Sequence, residues 1–215
     1  MLEALFQDAP VLRLIGIASA LLSIFAYLPY ARDTLAGRTQ PQRTSWLIWS
    51  VLGSIALASQ AYEGAQASLW FATIQVGGTI TIFLLSVRYG TGNFVTKADA
   101  GVLWAAATGL VIWALTDTAV YALAITITIS LMGGSVTILK AYRAPQSETL
   151  SMWLTSWVAA GLAMIAVGQV YWVLLAYPLY LFVLNGGIVA AILLGRARSA
   201  PAPIFIRRYT KNAAH

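Results

Sequence analysis

Long apolar runs separated by short polar loops follow one another along the chain. A bilayer core about 30 Å thick is crossed by about 20 helical residues, with about 17 as the lower limit. Seven runs have or approach that length, and only Thr116-Asp117-Thr118 separates the short fourth run from the fifth. The pattern predicts seven transmembrane helices, at Val11–Tyr30, Ser45–Tyr62, Ala67–Val87, Ala100–Leu115, Thr118–Leu139, Leu150–Val167 and Val170–Leu194.

Two of the polar loops have similar sequences. Residues 39–49 (TQPQRTSWLIW) align with residues 143–153 (RAPQSETLSMW) at an offset of 104 positions, which superimposes Pro-Gln on Pro-Gln and Trp49 on Trp153. Each loop ends one apolar run and precedes the next, with Ser45 or Thr149 as the predicted N-cap. Similarity at a fixed offset indicates an internal duplication.

The duplication predicts the fold class. Helices one to three and five to seven form two units, and a single helix between two copies gives both copies the same orientation in the membrane. The prediction is an all-α membrane protein with seven transmembrane helices, arranged as two parallel three-helix repeats joined by an inverting fourth helix. The repeats occupy residues 1–88 and 118–195, the fourth helix lies in residues 89–117, and residues 196–215 form a basic tail.

The distribution of charge gives an orientation. Twelve of the 13 Lys and Arg residues fall between helices one and two, three and four, or five and six, or after helix seven, and only Arg13 falls on the other side. Cytoplasmic loops carry the excess of basic residues. We therefore expect an integral protein of the cytoplasmic (inner) membrane, with its N-terminus outside and its C-terminus in the cytoplasm. The tail is expected to lie near anionic lipid headgroups.

Composition excludes several classes of function. The chain is 60% hydrophobic and only 9% charged, has no Cys, and has its single His at His215. The chain therefore has few residues that could bind a metal or a cofactor, or catalyse a reaction through Cys or His. We expect no enzyme activity. The net charge of +6 is explained by orientation in the membrane rather than by nucleic-acid binding. The N-terminus is acidic at Glu3 and Asp8, unlike a signal peptide, so no cleavage is expected.

No Asp, Glu, Lys or Arg falls well inside a predicted span. Ionisable residues in the membrane mark proton relays, ion sites and pockets for charged substrates. Their absence favours downhill movement of a neutral molecule and argues against proton-coupled transport.

The architecture resembles that of the SWEET sugar facilitators and the wider PQ-loop superfamily. In that superfamily a Pro-Gln pair ends the first helix of each unit, and the matching positions here are Pro29-Tyr30 and Gly133-Gly134. The literal Pro41-Gln42 and Pro145-Gln146 pairs lie later, in the loops. A helical proline lacks an N–H donor and adjacent glycines loosen a helix, so Pro29, Gly133 and Gly134 are candidate hinges, with a static kink as the alternative.

The resemblance also implies substrate-binding residues. SWEET facilitators place an Asn beside the sugar in the third helix of each unit, and the corresponding amides here are Gln75 and Asn185, each followed by glycines. An amide donates and accepts hydrogen bonds, which suits the hydroxyls of a sugar. The alternative is that these amides only hold helices together.

Trp49 and Trp153 are the aromatic candidates. They are related by the repeat, and their faces could stack on the apolar side of a sugar ring, with an anchor at the membrane interface as the alternative. For Trp46, nearer the helix end, an anchor at the membrane interface is favoured. Further hydroxyls could come from other residues in the spans, although Ser and Thr in membrane helices usually bond their own backbone. These residues are Tyr27, Ser50, Ser54, Thr126, Ser130, Tyr177 and Tyr180.

The sequence therefore predicts uncoupled transport of a small neutral solute, a sugar by resemblance, by alternating access between two three-helix bundles. Two alternatives remain open: a vitamin or nucleoside carrier of the nicotinamide riboside type, and a membrane receptor or assembly protein that transports nothing. A homo-oligomer is also left open. The expected partners are the solute and the lipid bilayer, with no nucleic acid.

Overall fold

The computed structural model describes residues 9–92 and 97–199. These residues form seven α-helices and no β-strand. The acidic start of the chain and most of the basic tail lie outside the described residues. The helices are α1 (Ala9–Leu35), α2 (Arg43–Tyr62), α3 (Ala67–Tyr89), α4 (Lys97–Thr116), α5 (Ala119–Arg143), α6 (Leu150–Ala166) and α7 (Trp172–Ser199), with a 3₁₀ turn at Pro145–Ser147 before α6.

Helices α1, α3, α5 and α7 extend beyond the C-terminal ends of their predicted apolar runs because their last turns are polar. Helix α1 continues past the predicted Tyr30 to Leu35, and its end is closed by backbone bonds from Ala36 to Arg32 and from Gly37 to Thr34. Gly37 has a φ of +71°, the left-handed conformation that commonly terminates a helix. Apolar content alone predicts the membrane-length part of such a helix and not its solvated end.

The predicted N-cap at Ser45 is wrong. Helix α2 begins at Arg43 with Gln42 as its N-cap residue, which places Ser45 inside the first turn. Thr149 does precede α6, but its side chain makes no cap bond. Its hydroxyl instead pairs with Thr39 and Asp33, so a contact between distant parts of the chain replaces the local cap.

Within the described parts of the chain, three helices are long and apolar enough to cross a membrane: Pro10–Leu35, Ala67–Tyr89 and Trp172–Arg198. The exposed surface of α1 is also apolar enough to contact a membrane. Large apolar side chains that are 40–66% exposed recur every three or four residues along it, which makes one continuous stripe. Exposed apolar surface on this scale is typical of a protein that contacts lipid or a partner. The stripe consists of Leu14, Ile17, Leu21, Ile24 and Leu28.

The helices pack in a ring. Helix α1 contacts α3 and α6, α2 contacts α3 and α5, and α7 contacts α5 and α6. Read around the ring, the order is α1, α3, α2, α5, α7, α6. Helix α4 lies outside the ring against α5 and α2. The pairs α1–α3 and α2–α3 in the first half of the chain correspond to α5–α7 and α6–α7 in the second half. The pair α1–α6, which joins the halves, corresponds to α5–α2.

Loop contacts define the two ends of the ring. At the end that we name the basic end, the α1–α2 loop meets the start of α6 through Thr39 and Thr149, whose hydroxyl oxygens are 2.9 Å apart. At the opposite end, which we name the acidic end, Tyr171 before α7 donates to Glu63 after α2 over 3.1 Å. Both ends therefore carry a hydrogen bond between the first three helices and the last three.

The candidate hinge residues lie inside continuous helices. Helix α1 runs through Pro29 without a break, and α5 runs through Gly133 and Gly134. A Cβ added at Gly134 would clash with the Leu184 side chain of α7, so this glycine permits a close approach between α5 and α7. The surroundings of Gly133 lie outside the described residues. A hinge role at these positions stays a prediction.

Candidate functional site, a polar cavity at the centre of the helix ring

A cavity lies at the centre of the ring, and every helix except α4 contributes to its wall. Its volume is about 50 Å³, which is room for a few water molecules. None of the described residues that line it carries a charge. The lining consists of Tyr27, Trp46, Trp49, Gly53, Gln75, Thr79, Ser130, Met152, Trp153, Ser156, Tyr177, Tyr180, Leu181, Leu184 and Asn185.

Helical spacing brings these side chains to one wall. Trp46, Trp49 and Gly53 follow the i, i+3, i+7 spacing that forms one face of α2. Helix α7 repeats the arrangement over more than two turns, from Tyr177 to Asn185. Gly53 has no side chain to fill the cavity at this point, where an added Cβ would lie 3.6 Å from the Tyr177 hydroxyl.

All four site residues predicted from the sequence line this cavity. Gln75 comes from α3, Asn185 from α7, Trp49 from α2 and Trp153 from α6. The structure therefore brings both members of each repeat-related pair to one place. Proximity alone does not test whether they bind a solute.

Three polar side-chain atoms at the cavity have no hydrogen-bond partner among the described residues. They are Gln75 Oε1, Asn185 Nδ2 and Ser156 Oγ, and their residues are 5%, 3% and 2% exposed. A buried polar group without a partner costs about 1–3 kcal/mol. One acceptor, one donor and one hydroxyl thus remain available to a molecule in the cavity.

The other hydroxyls near the cavity are used differently. Tyr27 donates from α1 to the backbone oxygen of Gln75 on α3 over 3.3 Å. Ser50 and Ser54 bond to the backbone oxygens of Trp46 and Ser50, four residues back. This confirms the expectation that serines in apolar helices bond their own backbone. The pattern leaves Ser156, which the sequence did not single out, as the serine with an unpaired hydroxyl at the cavity.

Three tryptophans separate the central cavity from a smaller one at the basic end. Trp46, Trp49 and Trp153 line both cavities. The Trp46 and Trp49 rings meet edge to face at 5.4 Å, and Trp49 and Trp153 meet edge to face at 6.4 Å. Such offset aromatic contacts are favourable beyond the area they bury.

Trp46 is not a membrane-interface anchor in this structure. It is 3% exposed and packs against Tyr27 and Tyr30 of α1 at centroid distances of 6.5 and 5.2 Å. The preference for an anchor rested on its closeness to the helix end. Helix α2 begins earlier than predicted, so Trp46 lies deeper in the bundle than the sequence suggested.

The smaller cavity contains the charges nearest the site. Its volume is about 20 Å³, and its wall includes Tyr30, Lys140 and Glu148 besides the three tryptophans. Glu148 accepts from Lys140 Nζ over 2.9 Å and from Trp153 Nε1 over 3.0 Å. Glu148 belongs to the polar loop before α6, yet its side chain is only 3% exposed.

A wider groove of about 930 Å³ lies at the acidic end, among the starts of α1 and α3 and the α6–α7 loop. It shares no lining residue with the central cavity. Its wall includes Leu14 and Trp70, which are 66% and 57% exposed, and none of the three unpaired polar atoms faces it. Volume alone would favour this groove, but the polar chemistry lies at the centre of the ring.

The contacts at the two ends differ in exposure. Thr39 and Thr149 are 3% and 9% exposed, and Thr149 also donates to Asp33 Oδ2 over 3.1 Å. At the acidic end, the bond between Tyr171 and Glu63 is exposed. That hydrogen bond raises the pKa of Tyr171 above its ordinary value of 10.0. The acidic end is therefore held by the weaker closure.

The cavity combines neutral hydrogen-bonding groups with aromatic walls. It suits a molecule with both polar edges and an apolar face, and its described lining offers no counter-ion for a charged one. The search for metal ligands finds no cluster of His, Asp or Glu among the described residues. Comparison of the chain with models of protein families, with curated proteins and with solved structures finds no match.

Proposed function

We propose that this chain is a SWEET-like integral membrane transporter. It passes a small neutral solute, most readily a sugar, by alternating access between two three-helix bundles and without ion coupling. The bundles are α1 to α3 and α5 to α7, with α4 as the connecting helix. The observation that carries the proposal is the uncharged central cavity with its unpaired Gln75, Asn185 and Ser156 atoms.

The symmetry of the packing supports the two-bundle arrangement. Exchanging the first three helices for the last three leaves the set of neighbouring helices unchanged, as expected for two copies of one unit. The sequence offset between Trp49 and Trp153 supports the same division independently. In this arrangement the four shorter or less apolar helices also cross the bilayer, and the basic end faces the cytoplasm.

The closed ends support alternating access. The cavity volume of about 50 Å³ is far below the roughly 300 Å³ of a typical small-molecule site, so a solute requires the bundles to separate. Hydrogen bonds between the bundles at both ends are the contacts that such a movement breaks and reforms. The two ends need not open together.

One specific feature favours a second solute class. Three tryptophans and three tyrosines line the cavity, which is a large aromatic surface for a site with three free polar atoms. Aromatic rings stack well on a planar base or pyridine ring. A vitamin or nucleoside carrier of the nicotinamide riboside type is therefore the second candidate.

Counterflow into liposomes that contain the purified protein tests the proposal. Labelled glucose, sucrose and nicotinamide riboside are compared side by side, without an ion gradient. Saturable counterflow of a sugar supports the first candidate, and exchange of the riboside alone supports the second. Absence of counterflow by folded protein refutes transport of these solutes and favours a receptor or assembly role. We expect Asn185→Ala to lose flux while its fold remains intact.

A further inference from the structure

Glu148 lines the smaller cavity, although it belongs to a polar loop in the sequence. Its carboxylate accepts one hydrogen bond from Lys140 at the end of α5 and one from the indole of Trp153 on α6. Its side chain is 3% exposed, whereas that of Lys140 is 37% exposed. The buried member of this ion pair is thus the one that contacts the tryptophan.

The position of Trp153 decides whether the two cavities are separate. Its ring completes the wall of three tryptophans, and its nearest aromatic neighbour there is Trp49. A hydrogen bond to an ionised acceptor is about twice as strong as a neutral one and is directional. The bond to Glu148 therefore fixes the orientation of the indole within this wall.

The repeat gives an internal comparison. At the offset of 104 positions Trp153 corresponds to Trp49, but Glu148 corresponds to Thr44, which has no charge. Trp49 therefore has no acidic residue at the position that Glu148 occupies relative to Trp153. The acid is a feature of the second bundle alone, and the duplication by itself does not explain its presence.

A second contact closes the same end. Thr149 follows Glu148 directly and bonds across to Thr39 and Asp33 of the first bundle. The residues that orient the indole and the residues that join the bundles are therefore adjacent in the chain. A movement of the start of α6 changes both contacts at once.

We propose that Glu148 is a positioning residue that holds Trp153 across the basic end of the central cavity, with Lys140 as its counter-ion, and keeps that end closed until a solute displaces the ring. The inference deepens the proposed transport function and rests on it for its biological meaning. The positioning role itself concerns how accessible the central cavity is, and that accessibility is measured without any solute.

The natural absence of cysteine allows access to be measured directly. Ser156→Cys places a single thiol at the cavity, one turn along α6 from Trp153. The rate at which a charged methanethiosulfonate reagent modifies this thiol is measured with protein in nanodiscs. Glu148→Met, Glu148→Gln, Trp153→Phe and the Glu148→Met, Trp153→Phe double variant are compared in that background.

Glu148→Met removes the acceptor at similar side-chain volume, and we expect the modification rate to rise about tenfold or more. Trp153→Phe removes the donor of the same bond and is expected to give a similar rise. The double variant is expected to react no faster than Trp153→Phe, because the acid acts through the indole. Glu148→Gln keeps a neutral acceptor and is expected to give a smaller rise than Glu148→Met.

Asp117→Asn is the control. It makes the same change from carboxylate to amide as Glu148→Gln, in the bond between Asp117 and Tyr62 at the acidic end, and a smaller rise than in Glu148→Gln is expected. An unchanged rate in Glu148→Met, or a further rise in the double variant, overturns the positioning role. If Glu148→Met does not fold, Trp153→Phe decides the question alone, since an unchanged rate there overturns the role equally. Counterflow by the wild-type protein separates the two failures: faster modification in Glu148→Met together with no transport of any solute by wild type refutes the proposed function and leaves the positioning role intact.

Discussion

Asn185 is the residue at which stability and function are expected to conflict. Its Nδ2 is buried at the central cavity without a partner among the described residues. Leucine has a similar branched shape and brings no polar atom. Because an unpaired buried polar group costs about 1–3 kcal/mol, we expect Asn185→Leu to raise the free energy of unfolding by up to about 2 kcal/mol, and less if a cavity water already pairs with the amide.

The same substitution is expected to weaken solute binding. A hydrogen bond to a solute contributes about 1 kcal/mol net, so its loss lowers affinity about fivefold to tenfold. Thermal unfolding of the protein in nanodiscs measures the first effect. The concentration dependence of counterflow measures the second.

Gln60 provides a matched control. It is also a fully buried amide with an unpaired Oε1, but it does not line the central cavity. We expect Gln60→Met to change stability and to leave the concentration dependence of counterflow unchanged. Our interpretation of Asn185 is refuted if Asn185→Leu destabilises the protein by more than about 1 kcal/mol, which would reveal a structural bond, or if it transports with wild-type affinity.

Three further changes test the packing and the closures. Gly16→Ala is expected to destabilise the protein by about 1–3 kcal/mol in thermal unfolding, because the new Cβ clashes with the backbone oxygen of Ala67; an unchanged stability would contradict close packing of α1 on the start of α3. Ser19→Ala is expected to cost about 0.6 to 1.7 kcal/mol, since Ser19 donates to the Ala159 oxygen of α6 over 2.7 Å, and a loss below measurement error argues against that bond. The raised pKa of Tyr171 means that its bond to Glu63 is present below about pH 10 and is lost as the pH rises through the folded-state pKa. Spin labels at Gln66→Cys and Gln169→Cys should therefore separate at high pH in the wild-type background but show no such titration in Tyr171→Phe.

The helices could be predicted from the sequence because the bilayer sets a minimum length for an apolar run. The predicted amides and tryptophans also line one cavity, as expected for residues at matching places in two copies of one unit. Helix ends were less predictable. The last turns of α1 and α5 are polar, and hydropathy does not distinguish a solvated helical turn from a loop.

Ser156 and Glu148 could not have been found by the same reasoning. Serine is common in apolar helices and usually bonds its own backbone, so nothing in the run around Ser156 marks its hydroxyl as unpaired. Glu148 lies in a polar stretch, and its burial depends on how the 3₁₀ turn packs against α5 and α7 and on the contact of Thr149 with the α1–α2 loop. Such contacts between distant segments leave no local pattern.

The central claim is that a neutral solute passes through the cavity at Asn185 without ion coupling. The most direct measurement is counterflow of the transported solute by wild type and Asn185→Leu, each with and without an imposed proton or sodium gradient. We predict that wild type exchanges the solute equally under all conditions and that Asn185→Leu needs about fivefold to tenfold more solute. Exchange that requires a gradient, or that is identical in the two proteins, would contradict the claim.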